Sequence, residues 1–382
     1  MIVCVSSTLI ERSTGIFKTD ITTLEKILFS ARQMKSFVGV LVYDLRRYVK
    51  AFNKEGRLYL SLCNRSERLE PAPDGNGYRC DWRWTSDLHA PKVLPFLGRW
   101  LMQRTLADHP IRRLPQPETH SANPEVSFII GHRGMARLPH LLATLESIAG
   151  QQGVSIECIV IEQETESQLA GRLPSWVRHI HTPPPVSDMP YCRSWAFNLG
   201  VKQARGSMLV LHDNDILLPE DYASLHLAKV CEGYEVVNLK RFIFFMGEAE
   251  TNAFFESGAD MTGATPVSIM QNAEGGGSIA ITRDAFERIG GMDESFIGWG
   301  GEDNEFWERA QTCKVWAYGC LALVHLWHYS QPDKSNSNSF GKHHFYALSK
   351  TPVEIRISAL RDTPRGSASG PVSYEINRVK HA

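Results

Sequence analysis

The sequence has little charge of one sign to offer: 41 Lys and Arg stand against 42 Asp and Glu, a formal net charge of −1. That balance removes any global attraction to nucleic acid or to an anionic membrane, so no nucleic-acid partner is expected and any partner is recognised locally. No run approaches the length of apolar sequence that a membrane helix needs, and Met1 to Gly15 begins apolar without a basic region, so neither export nor a membrane span is expected. The eight cysteines (Cys4, Cys63, Cys80, Cys158, Cys192, Cys231, Cys313, Cys320) fall singly, without a C-x-x-C pair. Reduced thiols and a cytoplasmic setting are therefore expected, with no disulfide framework. Asp213-Asn214-Asp215 lacks the later glycine and glutamate of an EF-hand loop, and Gly131-His132-Arg133-Gly134 is too poor in glycine for the phosphate loop of a nucleotidyltransferase. There is no internal repeat.

What is present is enough apolar sequence, 43% of 382 residues, to build about two domains. Prolines and small polar residues between Arg112 and Pro124 mark a seam. It divides an N-terminal α+β accessory domain (1–118) and a linker (119–125) from an α/β domain (126–350), which is followed by a tail (351–382) expected to be mobile. In the accessory part, Thr22-x-x-Glu25 reads as a capping box opening a helix, Phe37 to Tyr43 and Arg57 to Cys63 read as strands, and Leu94 to Ala107 as a second helix. Trp82 and Trp84 are read either as core or as a carbohydrate or partner surface. After the seam, strand-like runs at Val126–Ile130, Ile156–Ile161, Ser207–Leu211 and Ser278–Thr282 alternate with helical patterns at Leu138–Ala149, Trp195–Ala204 and Asp284–Ile289. This alternation is the pattern of a mostly parallel sheet flanked by helices.

Three strings carry chemistry. Asp213-Asn214-Asp215 follows a buried strand, at the end where open α/β sheets place ligands. Alone it reads most simply as a polar turn. His325-Leu326-Trp327-His328 follows another apolar run, and two imidazoles three apart can share an ion if the backbone turns between them. With Asp215 they form a mixed nitrogen and oxygen set that suits Mn²⁺ better than zinc, since no thiolate joins them. In Gly298-Trp299-Gly300-Gly301-Glu302-Asp303, glycines flank an aromatic face suited to a sugar ring, and the two acids open a helix whose dipole keeps a carboxylate ionised.

On these motifs the stretch from Val126 to about Phe340 resembles the GT-A glycosyltransferases of the family 2 type. Its C-terminal half looks closest to the β-1,4-galactosyltransferase and chondroitin-polymerase-like group. Arg193 with Asn198-Leu199-Gly200 is similar to that family's R-x-x-x-x-N-x-G segment, Asp213-Asn214-Asp215 to its D-x-D, Gly275-Gly276-Gly277-Ser278 to its glycine-rich strand, and Gly298 to Asp303 to W-G-G-E-D. His325 and His328 fall where the galactosyltransferases carry a methionine and a histidine, and the polar run Tyr329 to Gly341 resembles their flexible loop.

The resemblance implies a Rossmann-like GT-A domain that moves a sugar from a UDP-sugar to a glycan or lipid-linked glycan hydroxyl, with inversion. It implies Asp303 as general base, with Trp299, Gly300, Gly301 and Glu302 toward the acceptor. His132, Arg133, Glu162, Arg193, Asp213 and Asp215 fall toward the donor, and Asp215, His325 and His328 toward Mn²⁺ or Mg²⁺. Any membrane contact is expected to be peripheral at most. A retaining N-acetylgalactosaminyltransferase, or a sugar-nucleotide or glycan-binding module without catalysis, would fit the same scaffold.

Overall fold

The structure, a computed structural model, describes residues 37–52, 56–81, 86–119, 122–258, 261–330 and 340–371. The capping box at Thr22, Trp82 with Trp84, and positions 331–339 of the polar loop lie outside these. The chain forms two compact units, Met1–Leu58 and Tyr59–Ala382.

In the first unit residues 37–52 are helical. A π-turn at Val40–Asp44 leads into helix α1 (Leu45–Phe52). The strand expected at Phe37–Tyr43 is therefore corrected to helix. A short apolar run does not distinguish strand from helix by periodicity, and here Val38, Val42, Leu45, Val49 and Phe52 continue it at helical spacing. The strand expected at Arg57–Cys63 is corrected as well, since it contains a 3₁₀ turn over Leu58–Ser61. The carbonyls of Leu60 and Leu62 accept from the Arg241 guanidinium at 2.7 and 2.5 Å rather than from a neighbouring strand.

In the second unit a hairpin of β1 (Leu69–Pro71) and β2 (Tyr78–Cys80) precedes β3 (Ser86–Asp87) and helix α2 (Pro95–Asp108). The α/β alternation then runs β4 (Val126–His132), α3 (Leu138–Ala149), β5 (Ile156–Glu162), β6 (Val177–His181), α4 (Arg193–Gln203), β7 (Met208–His212) and β8 (Ile216–Leu217). It continues through α5 (Tyr222–Cys231), β9 (Val236–Val237), β10 (Lys240–Phe245), α6 (Glu248–Ser257), β11 (Ser268–Gln271), β12 (Ser278–Thr282) and α7 (Arg283–Arg288). The last elements are α8 (Glu302–Ala310), β13 (Val315–Trp316), β14 (Leu321–His325), α9 (Phe340–Leu348) and α10 (Val353–Arg361).

A seven-stranded sheet has the order β13-β9-β12-β7-β4-β5-β6, with β7, β4, β5 and β6 mutually parallel and β12 antiparallel to β7. Strands β4 and β5 are buried on both faces, which is why they read as mainly apolar runs, and the polar residues within them, Ser127 and Glu157, bond each other. One face packs Ile129, Leu209, Leu211, Ile279 and Ile281 against Phe197, Phe286, Phe306 and Trp307 from α4, α7 and α8. Each such side chain contributes about 1.5–3 kcal/mol when fully buried. The α/β class read from the sequence holds, including the mixed, mostly parallel sheet. A second sheet, β3-β11-β10-β14-β8, lies in the same unit, and β3 brings residues before the expected linker into it.

The tail expected to be mobile is ordered as far as it is described. Helix α10 places Arg356 on Glu305 and Glu308, Ser367 O accepts from Trp195 Nε1 at 2.7 Å, and Gly366 N donates to Glu294. Its Gly and Pro content signalled turns, and those turns are pinned by buried polar partners that no local pattern reveals.

Candidate active site

The two sheets determine where the chemistry converges. Ser278 of β12 pairs with His212 of β7, and Asp213 N donates to Gly277 O at 2.9 Å, which sets the glycine-rich segment beside the first acid. Three residues after Asp213 the chain enters β8, which pairs antiparallel with β14, matching Ile216 to His325. Leu326 N then donates to Asp215 O at 2.9 Å. Backbone pairing thus holds Asp215 against the histidine segment despite their separation in sequence.

Ligating atoms of Asp215, His325 and His328 lie within 4.8 Å of one another. Asp215 Oδ1 is 3.7 Å from His325 Nε2, and Oδ2 is 3.4 Å from His328 Nε2. Burial alone would raise the Asp215 carboxyl, but the charges of His325, Arg137 and His328 hold it down at about 2. Burial pushes the His328 imidazole down to about 4, against the pull of Asp215, so the ring is neutral near pH 7. Its Nδ1 lies 2.8 Å from the Tyr329 carbonyl and 2.9 Å from Arg137 Nη2, contacts that require different tautomers. Donation to Tyr329 leaves Nε2 with a lone pair toward Asp215, the arrangement a metal-ligating histidine needs. Asp215 Oδ1 is buried and has no hydrogen-bond partner. These residues fit a divalent cation.

Beside them, Arg193 binds the other acids. Its Nε donates to Asp213 Oδ1 at 2.8 Å, its Nη1 donates to Asp303 Oδ1, and Nη1 lies 3.8 Å from Glu302 Oε1. Burial and the charge of Asp303 push the Glu302 carboxyl up to about 7. Both acids stand in the first turn of α8, entered through Gly301 at φ 91°, where an added Cβ would come within 2.5 Å of Gly341 O. Only glycine fits that backbone. Lys342 of α9 stands over the Trp299 ring, 5.0 Å from its centroid. The two clusters share a cleft of about 550 Å³ lined by Arg133, Arg137, Arg193, Asp213, Asp215, Trp299, Glu302, Asp303, His325 and His328. A neighbouring cleft of about 720 Å³ runs along Gly300, Gly301, Asp303 and Trp307.

Two residues expected toward the donor stand back from these clefts. His132 is buried and accepts from Asn214 Nδ2 at 3.0 Å. Glu162 is fully buried, paired with His179 at 2.8 Å and accepting from Ser167, Gln168 N and Leu169 N. Both lie near the end of a central strand, where a polar residue serves the turn as readily as a ligand. Asn198 is likewise structural: it brackets Met292 through both amide atoms, fixing the approach to the glycine turn. Sequence reasoning missed Arg137, which pairs with Asp215 at 2.5 Å. Its spacing of four from Arg133, across the start of a helix, was the available signal.

Residues 268–321 match the family model described as the N-terminal domain of galactosyltransferase. The chain is 26% identical over 131 residues to beta-1,4-galactosyltransferase 5 of Sus scrofa, covering 33% of this chain and 28% of that protein. To the Danio rerio protein of the same name it is 27% identical over 130 residues, with the same coverage. The chain thus spans little more than a quarter of the length of these relatives. Among solved structures it is similar to the catalytic domain of Drosophila beta1,4-galactosyltransferase 7 in complex with xylobiose, at 16% identity and TM-score 0.35, over 58% of this chain and 79% of that one. The matched stretch contains the glycine-rich segment and the Gly298–Asp303 string but neither Asp215 nor the two histidines. Over residues 268–321 the chain is thus galactosyltransferase-like in sequence, and this stretch, carried on a mixed α/β fold, contributes Gly298, Trp299, Glu302 and Asp303 to the cleft.

Proposed function

We propose that the protein transfers a hexose from a UDP-sugar to a hydroxyl of a glycan or lipid-linked glycan, with inversion at the anomeric carbon. The observation that carries this reading is one cleft holding a potential cation site (Asp215, His325, His328) and a helix-initiating acid pair (Glu302, Asp303). Glycosyl transfer needs charge stabilisation at a departing diphosphate and deprotonation of an alcohol, and the cleft offers a group for each. A divalent cation, Mn²⁺ or Mg²⁺, held by Asp215, His325 and His328 would supply positive charge at the diphosphate. Arg133 and Arg137 line the same cleft and add cationic charge there. Asp213 accepts ribose or donor-sugar hydroxyls at the cleft floor. Asp303 takes the proton of the acceptor hydroxyl, Glu302 binds a second acceptor hydroxyl, and Trp299 offers its face to the sugar. Arg193 aligns Asp213 with Asp303, so that donor and acceptor sides are held in one register. The proposed setting is the cytoplasm.

The test is UDP release from UDP-galactose, UDP-N-acetylgalactosamine, UDP-glucose and UDP-N-acetylglucosamine with Mn²⁺. One donor is expected to turn over, with activity lost on EDTA treatment, restored by Mn²⁺, and absent in Asp215→Ala. No turnover of any donor, or turnover indifferent to EDTA, rejects the proposal. Asp303→Asn is expected to abolish transfer while UDP binding by calorimetry stays close to wild type. The anomeric coupling of the first-formed product reports inversion.

A further inference from the structure

The helix through residues 37–52 packs one face, with Val40, Asp44, Tyr48 and Ala51 buried. The other face is apolar and exposed: Phe37 is 44% accessible, Val38 51%, Leu41 40%, Val42 51%, Val49 49% and Phe52 66%. Val38, Val42, Val49 and Phe52, with half-buried Leu45 between them, recur at spacings of four and three, so they form one continuous stripe instead of scattered side chains. Half of the large exposed apolar side chains among the described residues lie in this one helix. A contiguous patch of this kind marks an interaction surface.

Charge selects among the occupants. The exposed ionisable side chains that carry charge on this helix are Arg46, Arg47 and Lys50, all cationic, whereas its one acid, Asp44, is buried. A second copy laid along the stripe would bring like charges together. An apolar stripe flanked by cations, with Phe37 and Phe52 at its two ends and exposed Tyr43 beside the cations, matches the requirements of a helix lying in the plane of a membrane interface. Neither this helix nor any other among the described residues is long and apolar enough to cross a membrane. We infer that residues 37–52 seat the protein on an anionic lipid surface, with the apolar stripe entering the acyl boundary and the cations meeting headgroup phosphates. The near-neutral charge of the whole chain does not oppose this, because attraction to a surface decays within a Debye length and is set by the local cations. The inference stands apart from the proposed transferase activity, and its test contains no activity readout.

The experiment is flotation of the full chain with vesicles of phosphatidylcholine alone or with a minority of phosphatidylglycerol. Binding is expected with the anionic vesicles and not with phosphatidylcholine alone, weakening but not vanishing as salt is raised. Val42→Asp with Val49→Asp, both at exposed positions and so compatible with folding, is expected to abolish flotation. Arg46→Glu with Lys50→Glu is expected to weaken it by about tenfold or more. Circular dichroism and melting temperature confirm that each variant is folded. Absence of flotation, flotation unchanged in the folded Val42/Val49 variant, or a dimer that dissociates in that variant without any vesicle binding, overturns the inference.

Discussion

Arg193 stands among three carboxylates, Asp213, Asp303 and Glu302, and stacks over the Phe197 ring at 4.6 Å. Replacing it with Met would leave those acids facing one another without a counter-charge. That change is expected to cost about 3–5 kcal/mol in denaturant unfolding, and an unchanged midpoint would show that the acids do not depend on it. Glu302 gives a pH dependence with a definite sign. It ionises near 4.5 in the unfolded chain and near 7 in the cleft, because burial and Asp303 oppose its charge. Between those values the folded state holds a proton that the unfolded state has lost, so its contribution to stability declines as pH rises from about 4.5 to 7. Thermal melts across that window should show a decline in wild type that is smaller in Glu302→Gln. Parallel curves for the two proteins would remove this assignment.

At the scale of elements, the Trp299–Gly301 turn is held by close approach of α9. A Cβ on Gly341 would overlap Gly300 O, and the same contact leaves no room for a side chain at Gly301. Gly341→Ala should therefore displace the turn that presents Trp299, Glu302 and Asp303. Transfer is expected to fall at least about tenfold in kcat/KM with the fold intact by circular dichroism, since small misplacements of reacting groups have large rate effects. Wild-type kinetics in that variant would show that the turn is positioned by other contacts. The long elements were legible in sequence: β4 and β5 as apolar runs buried on both faces, and α3 from its apolar stripe. The two-residue strands β8, β9 and β13 were not, because a bridge so short carries no period. Strand β8 is nonetheless the element that ties Asp215 to His325.

For the molecule as a whole, the C-terminal segment closes over the sheet unit. Arg356 pairs with fully buried Glu305, which also binds fully buried Arg309, while Lys202 and Trp195 of α4 donate to the backbone at Gly366 and Ser367. Removal of residues 352–382 strips buried acids of partners and is expected to lower stability by at least about 3 kcal/mol, seen as a lower melting temperature. An unchanged melting temperature would mean that the segment rests on the surface without supporting it. The sequence by itself determined the α/β class, the glycine turn that opens α8 with two acids, and the residue types able to hold a cation, because periodicity, capping and ligand chemistry are local properties. Tertiary structure alone decided that β8 pairs with β14 to bring Asp215 to the histidines, that Arg193 gathers the acids, and that His132 and Glu162 face inward. Those outcomes depend on pairings between segments far apart in the chain, whose energies arise only when both partners are in place.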